Sequence, residues 1–541
     1  MSPPGMHLAT MAARAAGSGP PSPRSGVAGR PHSGSQRTRP RDVYCAVEHL
    51  HRSEALAREV SAGRFTHCGV TLEVPTPEWT NVAVHPDREW WIDWSKFGYG
   101  LDLAYAFSRT GEATFADTWQ RLVASWIDQV PIGFGPTDAM GRRLQHWIYA
   151  WNIFSRTPSF QGFGAEFELK TIANIEAQAG YLRAHLTAER NHRTLELYAL
   201  LIVALALPGT DPGGGVTREV WQALHDNLLA DFRPDGVHRE HSTHYHMVAL
   251  RSFLAARENA RRFAIEVEPI YDERLSRAVE FALFCQRPDG TIPALSDADV
   301  ADYRESLALA ADLLGRPDVR YAATNGAHGL APERQAADFP DAGYYIVRSS
   351  WAGDSRHRHQ IFDCGPLGDG GHGHYDLLSV DLWADRPILV DPGRYTYAEG
   401  EPNWRRWFKG TAAHNTVVVD GRDQTAYHPG KPRTAPAAGR LLTRLDSALL
   451  DVVGGEAISP EYDAVHRRHV FFVAGDYWIV LDELEAPTAH EHDLRFHLVA
   501  PAWQQTAIEG NRVVAPSVEI VVVGPGTVAI EDGWVAPQYG V

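Results

Sequence analysis

Apolar positions along the chain change their spacing once, and that change divides the molecule. From about Asp42 to about Pro332 they recur every three to four residues. Leu169, Ile172, Ile175, Ala179, Leu182 and Leu186 form one such stripe, the mark of a helix with one buried face. Similar stripes predict helices over Tyr99–Arg109, Phe115–Gln129, Arg142–Arg156, Leu195–Leu207, Val220–Phe232, Met247–Arg261, Leu275–Gln286 and Leu307–Leu314. After about Asp338 the period falls to two. Tyr344–Arg348, Gln360–Asp363, Thr416–Asp420, His469–Val473 and Tyr477–Asp482 are β-rich runs separated by Gly, Pro and Asp. No helical pattern separates these runs, so an antiparallel sheet, built as a sandwich, is expected. Asn325–Asp338 is the expected linker between a helical domain, 42–332, and a β domain, 338–541.

One repeat sharpens the helical half. Arg233-Pro-Asp-Gly236 recurs as Arg287-Pro-Asp-Gly290, 54 residues later, each time after a predicted helix. Proline fixes φ, aspartate closes a local turn and glycine accepts positive φ. Equivalent turns one hairpin apart predict stacked helical hairpins, as in an α/α solenoid or toroid. They also predict that His238–His246 and Ile292–Asp299 share one rim.

Composition narrows the function. The chain has 541 residues, 44% of them hydrophobic, and a net charge of −16. Residues 1–41 contain six arginines and no acid, so the rest stands at −22. Such a body is a poor general binder of nucleic acid or of anionic membrane, and a polyanion must be met in a local basic groove. The longest apolar run, Ala199–Pro208, is about half a membrane span. The four cysteines are scattered without C-x-x-C spacing, which argues against a cysteine-rich zinc site or a disulfide scaffold. Residues 1–41, rich in Pro, Gly, Ser and Ala, are expected to be a disordered extension. They lack the apolar core of a secretory signal, so a cytoplasmic location is expected, with a degenerate export signal as the alternative.

Candidate chemistry gathers in histidine clusters: Asn191-His192, His238 to His246 around Tyr245, His372-Gly-His374-Tyr-Asp376, and Asp391 with His414. Two imidazoles and a carboxylate from His374, Asp391 and His414 are a competent zinc set, although their spacing matches no short zinc motif. The segment His238-Arg-Glu240-His241 has neither H-E-x-x-H nor H-x-x-E-H register, which excludes a metalloprotease helix. Gly368-Asp-Gly370-Gly-His-Gly373 fits G-x-G-x-x-G, but a β run follows it rather than the helix a dinucleotide site needs. Tyr with His is an acid/base pair. Arg142 and Arg143 are candidates for pairing with a substrate carboxylate or sulfate. Trp90, Trp91, Trp94 and Trp147 suit either sugar stacking or a core.

These motifs, in this order, resemble the heparinase II/III-like family of polysaccharide lyases, which includes heparinases and oligoalginate lyases. The strongest stretches are Gly371 to Ser379, Leu389 to Gly393 and Thr411 to Gly421, supported by Phe339 to Arg348, Asn191-His192 and Glu240 to His246. The resemblance implies a multidomain α + β chain: an incomplete (α/α) toroid followed by an antiparallel β-sandwich domain. It implies a structural zinc on His374, Asp391 and His414, a catalytic Tyr245, and Asn191, His192 and His372 around the substrate carboxylate. Arg142, Arg143, Arg239, Glu240 and Trp147 are expected to line the cleft. The partner is expected to be an acidic polysaccharide, with no nucleic acid or membrane. The implied reaction is β-elimination at a uronic acid, with Tyr245 as a phenolate base of lowered pKa, or His372 as base and Tyr245 as acid. Two other readings stand beside it: a toroid hydrolase using Asp297, Asp299 and Glu240, and a non-catalytic protein that binds acidic glycans.

Overall fold

Helices in the first half alternate between two environments. In Arg190–Ala206, fourteen of seventeen residues are buried, whereas in Ala113–Gln129 only seven of seventeen are. Tyr99–Thr110, Thr137–Arg156, Arg190–Ala206, Thr243–Arg262 and Arg304–Leu314 pack side to side as an inner row. Ala113–Gln129, Ala165–Ala184, Gly215–Asp231 and Pro269–Cys285 cover it from outside. The inner helices run the same way: the phenol of Tyr149 meets that of Tyr198 at 2.7 Å, and Gly141, earlier on the first helix, abuts Leu195, earlier on the second. Their N-termini therefore open on one rim. This is the incomplete (α/α) toroid. The computed structural model describes residues 39–46, 52–351, 357–430, 432–447, 449–499, 505–516 and 518–541, so the expected disordered extension lies outside the described residues apart from Arg39–Arg41.

The two Arg-Pro-Asp-Gly turns are geometric copies. Gly236 and Gly290 have φ of 95° and 92°, and each donates its N–H to its own Arg carbonyl at 2.9 Å. As expected, the segments after them share a rim: Ser242 Oγ donates to the Asp297 carbonyl at 2.7 Å and Thr243 Oγ1 to the Pro293 carbonyl at 2.6 Å.

From Ala336 onward the chain is sheet-rich. A five-stranded antiparallel sheet (Ala336–Phe339, Tyr344–Arg348, Arg358–Asp363, Val380–Ala384, Arg386–Leu389) faces a four-stranded one (Ala438–Leu445, Leu450–Ile458, Val465–Val473, Tyr477–Glu485). Phe362, Val380, Leu382 and Leu389 from the first meet Val453, Ala457 and Val470 from the second in one apolar layer, which makes the pair a sandwich. The expectation of a helix-free β half fails after Asn403: Trp404–Lys409 is a helix, capped by the Asn403 side chain, and a 3-10 turn, Thr411–Ala413, follows it. Six residues are too short to register a helical period. The helical and β halves form one compact unit, Pro40–Val541. A buried ion pair, Arg287–Asp381, joins them, and the Tyr539 hydroxyl reaches back to Asp87 at 2.9 Å.

Candidate active site

The rim brings together side chains from four places in the sequence. Ser242 caps its helix by accepting the Tyr245 N–H, which places Tyr245 in the first turn. Asn191 occupies the first turn of the neighbouring inner helix, just after Arg190 at φ 71°. From the β half, the Gly-rich loop 368–374 approaches so closely that its turns need positive φ at Gly368 and Gly370, where a Cβ would strike His241 and Arg190. The loop is tied to the helical half by Asp297 N–H to the His372 carbonyl, 3.1 Å, and Asp369 N–H to the Arg239 carbonyl, 2.8 Å.

Tyr245 and His372 stack, with ring centroids 3.8 Å apart at 27°. His372 Nδ1 lies 2.9 Å from Asp297 Oδ2. In the neutral ring a carboxylate there favours the Nδ1–H tautomer, which puts the lone pair on Nε2. Asp297 is fully buried and takes four contacts: His372, His374 at 2.8 Å, and both Nη atoms of Arg405. Burial alone would raise its carboxyl, but Arg405 and the two imidazoles override this and hold it well below the usual range. Asn191 Nδ2 donates to Glu240 Oε2 at 2.6 Å, and that carboxylate lies 3.7 Å from His372 Nε2.

The Tyr245 hydroxyl lies 2.8 Å from that of Tyr397, whose oxygen accepts from Arg394 Nη1 at 2.8 Å. Arg394 can only donate, so the Tyr397 proton is available to the Tyr245 oxygen. Arg394 also grips Asp299 with two contacts of 3.0 and 2.7 Å. The expected lowering of the Tyr245 pKa is corrected here. Burial, with neighbouring Tyr397, raises the phenol well above its ordinary value, and Arg394 offsets only part of this. Tyr245 is a protonated phenol at neutral pH.

His374, Asp391 and His414 are buried, and one donor atom from each lies within 4.8 Å of the others. His374 Nδ1 and His414 Nε2 have no hydrogen-bond partner among the described residues. Their other ring nitrogens are held by Asp297 and Asp391, each at 2.8 Å. Asp297, which is not itself one of the three donors, is the outer carboxylate that orients His374, as is usual at a metal site. The donor set therefore fits a divalent ion.

Family models match both halves. Residues 73–314 match "Heparinase II/III N-terminus", and residues 331–541 match "Heparinase II/III-like, C-terminal". The chain belongs to the heparinase II/III-like family. Among curated relatives, a heparin-sulfate lyase of Bacteroides stercoris is 22% identical over 482 residues, covering 86% of this chain and 69% of the relative. One of Pedobacter heparinus is 23% identical over 398 residues, covering 70% of this chain and 58% of the relative. The crystal structure of a heparan sulfate lyase mutant from Pedobacter heparinus superposes with a TM-score of 0.67 at 20% identity, covering 90% of this chain and 78% of that one.

Within this heparinase-like fold the expected cleft residues divide. Tyr245, Asn191, His372 and Glu240 come together. His192 is exposed beside Asn191 and makes no hydrogen bond or ion pair among the described residues. Arg239 is held by Asp369 at 2.5 Å and Glu189 at 3.3 Å, so it clamps the Gly-rich loop. Arg142 is half-buried with its guanidinium short of partners. Arg143 and Trp147 are corrected: both are core. Arg143 donates to Gln178 and to the Ser95 carbonyl and stacks on Trp126 at 4.1 Å. Trp147 is fully buried against Phe97, and Trp90, Trp91 and Trp94 are buried too. Sequence reasoning missed Tyr397, Arg394 and Arg405, although the density of Arg and Tyr after Asp391-Pro-Gly393 was a usable signal. The hydrolase reading loses its acids: Asp297 is held by cations, Asp299 by Arg394, and Glu240 by the Asn191 amide.

Proposed function

We propose that the chain is a polysaccharide lyase that cleaves a uronic-acid-containing glycosaminoglycan by β-elimination, leaving a 4,5-unsaturated uronate. The observation that carries this reading is the Tyr245–His372 stack, with an ionised Asp297 behind His372 and an Arg-fed tyrosine behind Tyr245. The names of the curated relatives, heparin-sulfate lyases, support the substrate class. The second N–H of the Asn191 amide, the one not given to Glu240, meets the sugar carboxylate and stabilises the enolate-like charge as the C5 proton leaves. His372 Nε2 takes that proton, and Asp297 stabilises the imidazolium formed. Tyr245, protonated beforehand, donates to the leaving O4, and the phenolate left behind is hydrogen-bonded by Tyr397. We further propose that His374, Asp391 and His414 hold a zinc ion, which when bound supplies a structural cross-link between the loops that carry His372 and Arg394.

Tyr245→Phe tests the reading. Wild type should release product absorbing in the ultraviolet from a uronate polymer in a substrate panel, and the variant should release none while unfolding at the same temperature. Normal turnover by the folded variant would sink the assignment. New reducing ends without unsaturation would favour hydrolysis instead.

A further inference from the structure

Arg394 and Tyr397, the two groups behind the Tyr245 phenol, sit on a stretch of chain without regular structure. Residues 394–400 form neither helix nor strand, and Tyr395 has φ of 46°. No ladder of backbone hydrogen bonds fixes such a loop, so other contacts must. Many of them come from residues 536–540. Ala536 N–H donates to the Pro392 carbonyl and Gly540 N–H to the Tyr395 carbonyl, each at 2.7 Å. On its other side the same segment grips the helical half. Val300 N–H donates to the Pro537 carbonyl at 2.9 Å, and Gly540, at φ 78°, lies so close to Cys68 that a Cβ would strike its carbonyl.

Tyr539 is the centre of this strap. Its hydroxyl donates to Asp87 Oδ2 at 2.9 Å and accepts the Tyr397 N–H at 2.9 Å. Asp87 is itself anchored, because its other oxygen caps the helix Arg88–Ser95 by accepting the Glu89 N–H at 2.9 Å. A carboxylate only accepts, so the Tyr539 proton is directed to Asp87 and its lone pairs are left for the loop. The ring adds a second hold: it lies 5.4 Å from the Tyr397 ring and 5.3 Å from the Arg394 guanidinium. Among the described residues Tyr539 forms no hydrogen bond or ring contact with Tyr245 or His372, so its route to them runs through Tyr397. The geometry there leaves little slack. The Tyr397 hydroxyl accepts from Arg394 Nη1 at 2.8 Å while it meets the Tyr245 hydroxyl at 2.8 Å, and a displacement of about 1 Å would carry one of the two beyond hydrogen-bond range.

We propose that Tyr539 is a positioning residue for the proton donor: it ties Tyr397 to the helical half through Asp87, so that the Tyr397 hydroxyl meets that of Tyr245. The tie itself does not depend on the reaction, but its use in proton donation rests on the lyase reading. The test compares wild type, Tyr539→Phe, Tyr397→Phe and the double variant in the full chain. Tyr539→Phe keeps the ring and removes the hydroxyl. Two readouts are taken: the kinetics of ultraviolet-absorbing product from a uronate-containing glycosaminoglycan, and amide hydrogen exchange of the peptide around Tyr397. Tyr539→Phe should lower kcat about three- to thirtyfold with KM within about threefold, since a misplacement of about 1 Å can cost about 10²-fold. In the Tyr397→Phe background the same change should lower kcat less than about twofold, because the hydroxyl it positions is already gone. Exchange around Tyr397 should quicken, with the unfolding temperature moved by less than about 3 °C. A fastener without catalytic consequence would leave kcat unchanged, and a general loosening would lower it equally in both backgrounds. Either result overturns the proposal, as does unchanged exchange around Tyr397. If wild type yields no unsaturated product while Tyr539→Phe still quickens exchange there, the tie stands and its role in proton donation falls with the lyase reading.

Discussion

Asp297→Asn should be the most damaging single-atom change in the cleft. The substitution keeps the shape and removes the charge. Asp297 is 0% exposed and Arg405 7% exposed, so the change leaves a guanidinium buried opposite an amide. Breaking a buried pair from one side costs about 3–5 kcal/mol. Arg405 keeps its 3.1 Å contact with the Gly371 carbonyl, which places the expected cost near the lower end, about 3 kcal/mol. Urea unfolding at pH 7 reads it. A double variant, Asp297→Asn with Arg405→Gln, should cost less than the sum of the singles by about 1–3 kcal/mol, because the second change removes the stranded charge. The folded-state carboxyl is depressed, so its contribution is full above the unfolded value, about 4, and is lost as pH falls through the lower folded value. The stability gap between wild type and variant should therefore close below about pH 4. In kinetics, kcat should fall about 10²- to 10⁴-fold with KM little changed, since His372 loses its orienting acceptor. A cost under about 1 kcal/mol, or strict additivity with Arg405→Gln, would refute the claim that Asp297 neutralises a buried cation.

Three further outcomes are expected. Tyr397→Phe should lower kcat about ten- to hundredfold without shifting the unfolding temperature, and full activity in that variant would remove Tyr397 from the relay. Trp147→Ala should cost about 3–5 kcal/mol in unfolding while the folded enzyme keeps its KM; a raised KM at wild-type stability would return Trp147 to the sugar site. His374→Ala should lose bound metal by elemental analysis and unfold at lower temperature, whereas unchanged metal content would reject the site.

The division into helical and β halves was legible because periodicity reports burial directly. The helix boundaries were not, for a reason that matters to function. Apolar spacing predicts starts at Arg142, Leu195 and Met247, whereas the helices begin at Thr137, Arg190 and Thr243. In the last two the extra first turns are polar yet partly buried, and they carry Asn191, His244 and Tyr245. The outer helices Gly215–Asp231 and Pro269–Cys285 also begin early, but their first turns are mostly exposed. A hydrophobic pattern skips a buried polar turn, so it skips the site. The motif Asn191-His192 was readable as a pair, but a helix sends adjacent side chains about 100° apart, and only Asn191 reaches Glu240. Asp297 looked like an available acid in the sequence. Its partners, Arg405 and His372, lie 108 and 75 residues away, and only folding shows that it is already spent.

Charge accounting then separates recognition from chemistry. At −16 the chain repels a polyanion at long range, but screening at physiological salt confines that repulsion to about 8 Å. What decides binding is the uncancelled charge in the cleft. Arg394, Arg405, Arg239 and Lys96 are each matched to a carboxylate, and these pairs fix the loops while contributing little net field. Among the described residues Arg142 and Arg251 form no ion pair, and Lys409 is held by the Gly371 carbonyl rather than by an acid. The residues that move protons therefore work among paired charges. Altering Tyr245, His372 or Asp297 should therefore show in kcat with KM little moved, and a folded variant of any of the three that raised KM at unchanged kcat would mean that the residue binds substrate rather than moving its protons.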